Sequence, residues 1–248
     1  MPTLSIVIPC YNEAKNIPLI LKRFSEVIKN NHIEVILVNN GSYDESDSVL
    51  QEHLSQYPFA RTVKLEKNQG YGYGILYGLN HVSGNFIGWT HADLQTDPVD
   101  VIRAYDIIRM TLKQVRGDKQ SVLFLKGLRK RRPIFDVFFT CGMSIFESLY
   151  LKTKLWDINA QPTIFHRSFF EQWHNPPHDF SLDLYALYMA RKYKLSIIRF
   201  PVLFPKRIHG TSSWNTGLAA KWKFIKRTMA YSITLKGNLS HDVHRPSH

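Results

Sequence analysis

The sequence predicts an α/β fold in which a mostly parallel sheet is flanked by helices. Three observations support this prediction: short apolar runs alternate with stretches of helical periodicity, the connections are short, and polar clusters follow the apolar runs. Alternation of this kind is typical of parallel sheets with right-handed crossovers. The chain of 248 residues is long enough for one large domain of this class.

In the first half, four buried-type strands alternate with four segments whose apolar residues recur at helical spacing. The predicted strands cover residues 4–8, 34–38, 62–65 and 85–90, and the predicted helices cover residues 16–29, 44–54, 73–81 and 98–113. Asp44 or Ser46 is expected to cap the second helix. Pro98 is expected at the first position of the fourth helix, where its missing N–H leaves no helical hydrogen bond unmade.

The second half is less regular and is predicted to continue the same domain. Its predicted strands cover residues 122–128, 163–165 and 196–204, and its predicted helices cover residues 134–151, 181–194 and 216–235. The first of these strands runs into a basic loop with the sequence KGLRKRR. Because the chain contains no internal repeat or obvious linker, one continuous domain is expected.

Four polar loops are expected to meet at one cleft, because ligands bind at the carboxyl ends of the strands in sheets of this class. The loops cover residues 9–15, 39–44, 68–74 and 91–97. The third loop is rich in glycine and precedes a helix, which suits a phosphate. Asn40 offers both donors and acceptors, and the Glu13 carboxylate can accept from a ribose hydroxyl. Taken singly, each loop is also explained by a turn or a helix cap.

The net charge of +12 is concentrated in the C-terminal quarter of the chain. Residues 184–241 contain no Asp or Glu and carry eleven Lys or Arg residues, whereas the remainder is nearly neutral. Such a region predicts an anionic partner, either a phosphorylated substrate, an anionic membrane surface or nucleic acid. A merely solubilising surface is the alternative. We expect no nucleic acid partner, because the chain lacks a recognised nucleic-acid-binding motif.

Several classes of protein are excluded by what the sequence lacks. Cys10 and Cys141 stand far apart in no CxxC pattern, which argues against a disulfide framework or a zinc site. No run of about 18 uncharged apolar residues predicts a transmembrane helix, and the N-terminus lacks the basic region of a secretory signal. We therefore expect a cytoplasmic protein that contacts the inner face of the membrane only peripherally.

Seven segments together resemble one enzyme family. PCYNE, VNNGS, NQGYGYG and HADLQ resemble, in this order and spacing, the nucleotide-binding motifs of family 2 glycosyltransferases with a GT-A (Rossmann-like) fold. KGLRKRR, DINAQPTIF and RIHGTS resemble motifs of the branch that uses polyprenyl or dolichyl phosphates. The match spans roughly residues 4–230. Each segment alone is a weak signal, whereas the combination is specific.

The resemblance implies that a sugar is transferred from a nucleotide-sugar to an acceptor, with inversion at the anomeric carbon. The implied acceptor is a polyprenyl phosphate or a lipid-linked saccharide. The GT-A domain would cover residues 1–213, with a nucleotide-binding half over about 1–115 and an acceptor half over about 116–213. A basic amphipathic helix and a short tail would follow over residues 214–248.

The resemblance also implies roles for individual side chains. The nucleotide is expected at Pro9, Tyr11, Glu13, Asn40, Gln69 and Asp93. A divalent cation, Mn²⁺ or Mg²⁺, is expected at His91, Asp93 and Gln95. Phosphate groups of donor or acceptor are expected at Lys126, Arg129, Arg131, Arg132, Arg207, His209 and Ser212. The expected catalytic residues are Asp93, Asp183 and Arg207, since the charge developing on the leaving diphosphate must be stabilised.

The chain departs from the family pattern in three places. Both carboxylates of the family's V-D-D-G-S motif are amides here, Asn39 and Asn40, and Ser213 replaces the lysine that usually follows the R-x-x-G-x-S motif. His91 stands in place of the first carboxylate of D-A-D-x-Q. Because Mn²⁺ accepts imidazole better than Mg²⁺ does, His91 either joins a Mn²⁺ site, bonds to phosphate, or weakens the site in a poor or inactive enzyme.

The general base and the acceptor are linked questions. A phosphate acceptor is already an anion, whereas a sugar hydroxyl needs a base within hydrogen-bond reach. Asp179 and Asp183 are the candidates, and Asp183 is equally explained as a residue that packs the start of a helix. The alternatives are therefore a hydroxyl-directed glycosyltransferase with an Asp base, and a nucleotide-sugar-binding protein that has lost catalysis. The sequence leaves the oligomeric state open.

The last predicted helix carries one apolar stripe with basic neighbours. The stripe consists of Leu218, Trp222, Ile225, Met229 and Ile233, and the flanking basic residues are Lys221, Lys223, Lys226 and Arg227. This pattern is typical of an interfacial helix on anionic lipid. A helix docked on the domain with a basic outer face explains the pattern equally well.

Overall fold

A computed structural model describes residues 3–29, 32–114, 122–132, 134–205, 207–209 and 218–242 of the chain. Within these residues seven strands form one sheet in the spatial order β3-β2-β1-β4-β6-β5-β7. The strands are β1 Leu4–Cys10, β2 Ile33–Asn40, β3 Ala60–Leu65, β4 Phe86–Trp89, β5 Leu123–Lys130, β6 Thr163–His166 and β7 Ser196–Leu203. The helices are α1 Ile17–Val27, α2 Ser46–Leu54, α3 Tyr71–Leu79, α4 Pro98–Gln114, α5 Ile134–Tyr150, α6 Arg167–Phe170, α7 Leu182–Lys192 and α8 Leu218–Asp242.

The predicted mostly parallel sheet is confirmed. Strand β1 pairs in parallel with β2 and β4, strand β2 with β3, and strand β5 with β7. Strand β6 is antiparallel to both of its neighbours, β4 and β5. The carboxyl ends of β1, β2 and β4 therefore lie side by side, which brings the polar loops that follow them to one edge.

Two apolar layers cover the faces of the sheet. Helices α1 and α4 pack on one face, and helices α3 and α7 pack on the other with an aromatic cluster around Trp89, Phe165 and Trp173. Helix α3 lies especially close to the sheet, since a Cβ at Gly78 would stand 2.4 Å from Val7 Cγ1. This close packing fixes the C-terminal end of α3 against β1 and β2.

The observed elements differ from the predicted ones mainly at their ends. Strands β1 and β2 run two residues beyond their apolar runs, because the ladder continues to the pair Cys10–Asn39. Helix α2 begins at Ser46, and Asp44 Oδ1 accepts a hydrogen bond from the Ser46 N–H at 3.0 Å. The short helix α6 was not predicted, because four residues give no periodicity to detect. The predicted domain boundary after residue 213 lies outside the described residues.

Helix α8 docks on α5 through a face that lies outside its predicted apolar stripe. Thr228, Ser232 and Leu235 are buried, and the Ser232 hydroxyl donates to the buried Glu147 carboxylate on α5. Trp222 and Ile233 of the stripe are exposed instead. Among the described helices, none is both long enough and apolar enough to cross a membrane.

Glu147 makes the stability of this helix pair depend on pH. Burial raises the pKa of Glu147 from 4.5 to about 7, and the hydrogen bond from Ser232 partly opposes the rise. Because the folded pKa exceeds the unfolded one, the stabilisation is fully present below about pH 4.5 and is lost as the pH rises to about 7. At 1.36 kcal/mol per pKa unit, the loss amounts to at most about 3 kcal/mol.

We expect Glu147→Gln to flatten the fall in unfolding free energy between about pH 4.5 and about pH 8. Glutamine can still accept from Ser232 but has no proton to lose. Urea denaturation at both pH values measures the effect, and Glu52→Gln on the exposed face of α2 is the matched control. A pH dependence that is the same in wild type and Glu147→Gln would contradict the assignment.

Candidate active site

The loops after β1 and β2 are joined by hydrogen bonds. The backbone N–H of Asn12 donates to Ser42 Oγ at 3.0 Å, and the Tyr43 N–H donates back to Asn12 Oδ1 at 3.0 Å. The rings of Tyr11 and Tyr43 meet edge to face with centroids 5.9 Å apart. Tyr43 is 83% exposed, and Tyr11 is 42% exposed, so this pair presents an accessible aromatic wall at the strand ends.

The two amides that replace the family carboxylates hold neighbouring loops. Asn40 Nδ2 donates to the Gly70 carbonyl at 3.0 Å, while its Oδ1 accepts from the Gln69 N–H at 3.4 Å. Asn39 Nδ2 donates to Asp47 at 2.9 Å. A carboxylate at either position could not donate these hydrogen bonds. Each amide therefore donates a hydrogen bond that this chain uses to hold its loops, and Asn40 fixes the glycine-rich loop against β2.

Side-chain contacts join the segment after β4 to the segment after β7. We call the group formed by Asp93, Gln95 and Arg207 the clasp. Asp93 Oδ2 forms an ion pair with Arg207 Nη2 at 2.8 Å, and Asp93 Oδ1 accepts from the Gln95 N–H at 3.0 Å. Arg207 Nε donates to Gln95 Oε1 at 3.1 Å, and Gln95 Nε2 donates to the Pro205 carbonyl at 3.0 Å. A half-buried guanidinium is thus held directly over the carboxylate at the end of β4.

The charged side chains of this clasp affect the pKa of Glu13. Burial raises the pKa of Glu13, Asp93 raises it further, and Arg207 opposes the rise. The loop after β1, the end of β4 and the segment after β7 therefore share one electrostatic environment.

His91 is half-buried beside the clasp and stacks on Tyr71. The two ring centroids lie 5.7 Å apart, with 28° between the planes. Burial lowers the pKa of His91, and the charges of Asp93 and Asp183 partly oppose this effect. The imidazole is therefore held in its neutral form near neutral pH, the form that can bind a metal ion.

A buried polar network lies behind Tyr71. Asp183 Oδ1 accepts from Lys126 Nζ at 3.0 Å and from Gln161 Nε2 at 2.9 Å, and Asp183 Oδ2 accepts from the Tyr71 hydroxyl at 3.3 Å. Lys126 also donates to Thr163 Oγ1 at 2.7 Å. Burial lowers the pKa of Lys126 to about 8, and Asp183 opposes the change. The ammonium remains charged at neutral pH and neutralises the Asp183 carboxylate.

A cluster of arginines surrounds one carboxylate at the end of β5. Arg129 Nε lies 2.7 Å from Asp157 Oδ1, and Arg132 Nη1 lies 3.6 Å from the same oxygen. Arg199 donates to the Gly127 carbonyl at 2.8 Å, and burial lowers its pKa to about 10. Two guanidinium groups thus lie against one carboxylate at the end of β5, and a third is held close by through the Gly127 carbonyl.

Comparison with known proteins identifies the family. The sequence pattern of glycosyl transferase family 2 matches residues 5–172. This chain belongs to glycosyltransferase family 2. The matched region contains all four loops at the strand ends, together with β5 and β6.

Curated relatives of this family 2 glycosyltransferase share one name. Undecaprenyl-phosphate 4-deoxy-4-formamido-L-arabinose transferase from Edwardsiella ictaluri is 26% identical over 229 residues, which cover 85% of this chain and 62% of that protein. The protein of the same name from Yersinia enterocolitica is 34% identical over 134 residues, covering 50% of this chain and 39% of that protein. The chain thus spans less than two thirds of the length of either relative.

Solved structures confirm the GT-A fold. Glucosyl-3-phosphoglycerate synthase from Mycobacterium tuberculosis, in complex with Mn²⁺, UDP and its product, superposes with a TM-score of 0.67 at 15% identity, over 94% of this chain and 78% of that one. A mannosyltransferase from Pyrobaculum calidifontis, in complex with GDP-Man and Mn²⁺, gives a TM-score of 0.62 at 18% identity, over 91% of this chain and 61% of that one.

The structure of this family 2 glycosyltransferase brings most of the predicted site residues to one edge of the sheet. Tyr11, Asn40, His91, Asp93 and Arg207 lie along the carboxyl ends of β1, β2 and β4 or over them. Gln69, Arg131 and His209 are exposed, and Ser212 and Ser213 lie outside the described residues. The contacts found for Lys126 are internal, so its predicted binding of an acceptor phosphate stays a prediction.

Sequence reasoning missed four residues of the site. Tyr71, Gln161, Thr163 and Arg199 all make contacts that shape it. Tyr71, Gln161 and Thr163 lie within the segments NQGYGYG and DINAQPTIF, whose resemblance to the family motifs assigned no role to these side chains. Arg199 gave no signal, because a strand residue's partner across the sheet is set by the register.

The metal-binding capacity of the site rests on two side chains of different kinds. Across the described ranges, no three His, Cys, Asp or Glu side chains lie together as a metal-binding group. His91 and Asp93 offer one imidazole and one carboxylate, a set that suits Mn²⁺ better than Mg²⁺. These two donors fit a cation whose remaining ligands come from a bound diphosphate.

Proposed function

We propose that this protein transfers a sugar, with inversion, from a nucleotide-sugar to a polyprenyl phosphate. The observation that carries the proposal is the placement of the His91–Asp93–Arg207 group beside a cleft that has an arginine cluster at its other end. The His91–Asp93–Arg207 group suits the diphosphate of a donor, and the arginine cluster suits the phosphate of an acceptor. The names of the curated relatives, which specify undecaprenyl phosphate, support the same acceptor.

On the donor side, the residues of the clasp stabilise the departing nucleoside diphosphate. Arg207 presents a planar guanidinium that matches phosphate oxygens. His91 and Asp93 would hold a Mn²⁺ ion, which supplies positive charge for the developing diphosphate. The Tyr11–Tyr43 wall offers aromatic surface to the base, and the Glu13 carboxylate lies near enough to accept from a ribose hydroxyl.

On the acceptor side, the arginine cluster favours an anion. Arg129, Arg132 and Arg199 lie together at the end of β5, and planar guanidinium groups match the oxygens of a phosphate. A phosphate oxygen attacks the anomeric carbon as an anion while the bond to the diphosphate breaks. This single displacement needs no proton acceptor.

The Lys126–Asp183 pair supports a phosphate acceptor over a hydroxyl acceptor. Both carboxylate oxygens of Asp183 already accept hydrogen bonds from buried groups, and Lys126 holds the carboxylate in an ion pair. A general base requires the opposite environment. The second candidate function, transfer to a sugar hydroxyl, would then depend on Asp179, whose carboxylate pairs with Arg227 at 3.3 Å.

The acceptor proposal is tested by comparing undecaprenyl phosphate with undecaprenol, which has a hydroxyl but no phosphate. We expect transfer to the phosphate to exceed transfer to the alcohol by at least roughly 10²-fold, the scale of one lost charge interaction in a site. We expect Asp179→Asn to keep the preference for the phosphate over the alcohol. Preferred transfer to an alcohol or a saccharide, abolished by Asp179→Asn, would favour the hydroxyl alternative.

We propose further that helices α5 and α8 rest on an anionic membrane surface at the cytoplasmic face. The exposed apolar side chains include Phe138 (81%) and Leu149 (75%) on α5, and Trp222 (57%) and Ile233 (60%) on α8. Exposed Lys226 and Lys236 on α8 add positive charge. Apolar and basic side chains on one helix pair suit the boundary between acyl chains and anionic headgroups.

Flotation with vesicles that contain anionic lipid tests this surface. We expect the Trp222→Ser/Ile233→Ser variant to float at least about tenfold less than wild type, because two large apolar side chains no longer enter the bilayer. Met110→Ser on α4 removes an equally exposed apolar side chain elsewhere and should not change flotation. Equal flotation of wild type and the double variant would refute the proposed surface.

A further inference from the structure

A column of stacked groups connects α8 with His91. The guanidinium carbon of Arg227 on α8 lies 5.1 Å from the centroid of the Phe180 ring. Phe180 stacks on Tyr71 with centroids 4.6 Å apart and only 10° between the planes. Tyr71 in turn stacks on His91 at 5.7 Å. The column thus runs from α8, through Phe180 two residues before α7 and Tyr71 at the start of α3, to the segment after β4.

Acidic residues fix the column at two levels. Asp179 Oδ2 pairs with Arg227 Nε at 3.3 Å, and Asp183 Oδ2 accepts from the Tyr71 hydroxyl at 3.3 Å. Both acids belong to the short segment that contains Phe180. The backbone of this segment also lies directly against the first turn of α3, since a Cβ at Gly72 would stand 2.6 Å from the Asp179 carbonyl oxygen.

The orientation of His91 depends on this column. Its imidazole stacks on the Tyr71 ring. Arg227 is the cationic end of the column, and attraction between a cation and a ring is strongest when the ring face is presented to it. Displacing α8 would therefore remove the support of Phe180 at the outer end of the column and loosen the stack on which the imidazole rests.

We propose that Arg227 and Phe180 are positioning residues that hold His91 for the donor diphosphate and so couple the placement of α8 to the active site. The inference rests on the proposed function in one respect, namely that His91 faces the donor. It goes beyond that function because α8, the helix proposed to rest on the membrane, would also support the donor site.

The test combines nuclear magnetic resonance of histidine labelled with ¹³C and transfer kinetics, with the His91 signal assigned by His91→Asn. We expect Arg227→Ala and Phe180→Leu to move the His91 ring resonances and to lower kcat about tenfold, the scale of a modest displacement of a catalytic group. Arg227→Lys keeps a cation over the ring and should restore both. The KM for the acceptor should stay unchanged.

Arg109→Ala is the matched control. Arg109 on α4 also lies over an aromatic ring, that of Tyr105 at 5.7 Å, and near an acidic partner, Asp106 at 4.0 Å. An unmoved His91 signal in Arg227→Ala, or an equal movement in Arg109→Ala, would overturn the inference. Movement of the His91 signal in a protein that transfers no sugar to any acceptor would sustain the coupling and refute the proposed function.

Discussion

Asp93→Asn is expected to lower the rate of sugar transfer by roughly 10²- to 10³-fold, the usual loss when one charge-stabilising group is removed from an active site. Asp93 is the buried carboxylate at the centre of the clasp, where it meets both Arg207 and Gln95. Asparagine keeps the size of the side chain but removes the charge that a cation and Arg207 both require. Steady-state kinetics with saturating donor measures the loss.

Asp97→Asn is the control for this prediction. Asp97 lies in the same loop and also pairs with an arginine, Arg23, at 2.9 Å, but this pair is partly exposed. Exposed ion pairs contribute little, so transfer by Asp97→Asn should stay close to the wild-type rate. If Asp93→Asn retained full activity with an unchanged dependence on Mn²⁺, the assignment of the donor diphosphate to this loop would be wrong.

Lys126→Met is expected to lower the free energy of unfolding by about 3–5 kcal/mol, because it leaves the buried Asp183 carboxylate without its ionic partner. Methionine has a similar length and leaves no large cavity, so the effect reports the charge rather than packing. Urea denaturation at neutral pH measures the loss.

The double variant Lys126→Met/Asp183→Leu separates the ion pair from packing. Replacing both members of a buried pair with apolar residues is often neutral, so the double variant should recover most of the lost stability. If the loss of unfolding free energy in the double variant equalled the sum of the losses in Lys126→Met and Asp183→Leu, the two charges would not interact.

The fold was predictable from the sequence because its strands are short apolar runs and its helices have clear periodicity. The runs IVI and EVILV placed β1 and β2 correctly, and the loops after them were expected to meet. Strand ends were harder to predict, since Asn39 and Asn40 are polar and yet belong to β2 through the ladder with β3. These ends are set by pairing with other strands, which the sequence of one segment alone does not predict.

The candidate site was predictable only at the level of which loops converge. Lys126 stands at the start of the basic segment KGLRKRR, where the resemblance implies a residue that binds phosphate. The structure extends β5 through Lys130, and the alternation of the strand turns Lys126 inward to meet Asp183. The amide roles of Asn39 and Asn40 were equally hidden, because their partners are a loop carbonyl and a carboxylate several residues away.

The most direct test of the proposed reaction is transfer of label from nucleotide-sugars to undecaprenyl phosphate, measured together with release of nucleoside diphosphate. We predict that one donor of a panel yields labelled lipid and diphosphate in equal amounts. The rate should be higher with Mn²⁺ than with Mg²⁺ and should vanish with EDTA. Tight binding of nucleotide with no diphosphate released from any donor would contradict this account and identify the protein as a nucleotide-sugar-binding protein without catalysis.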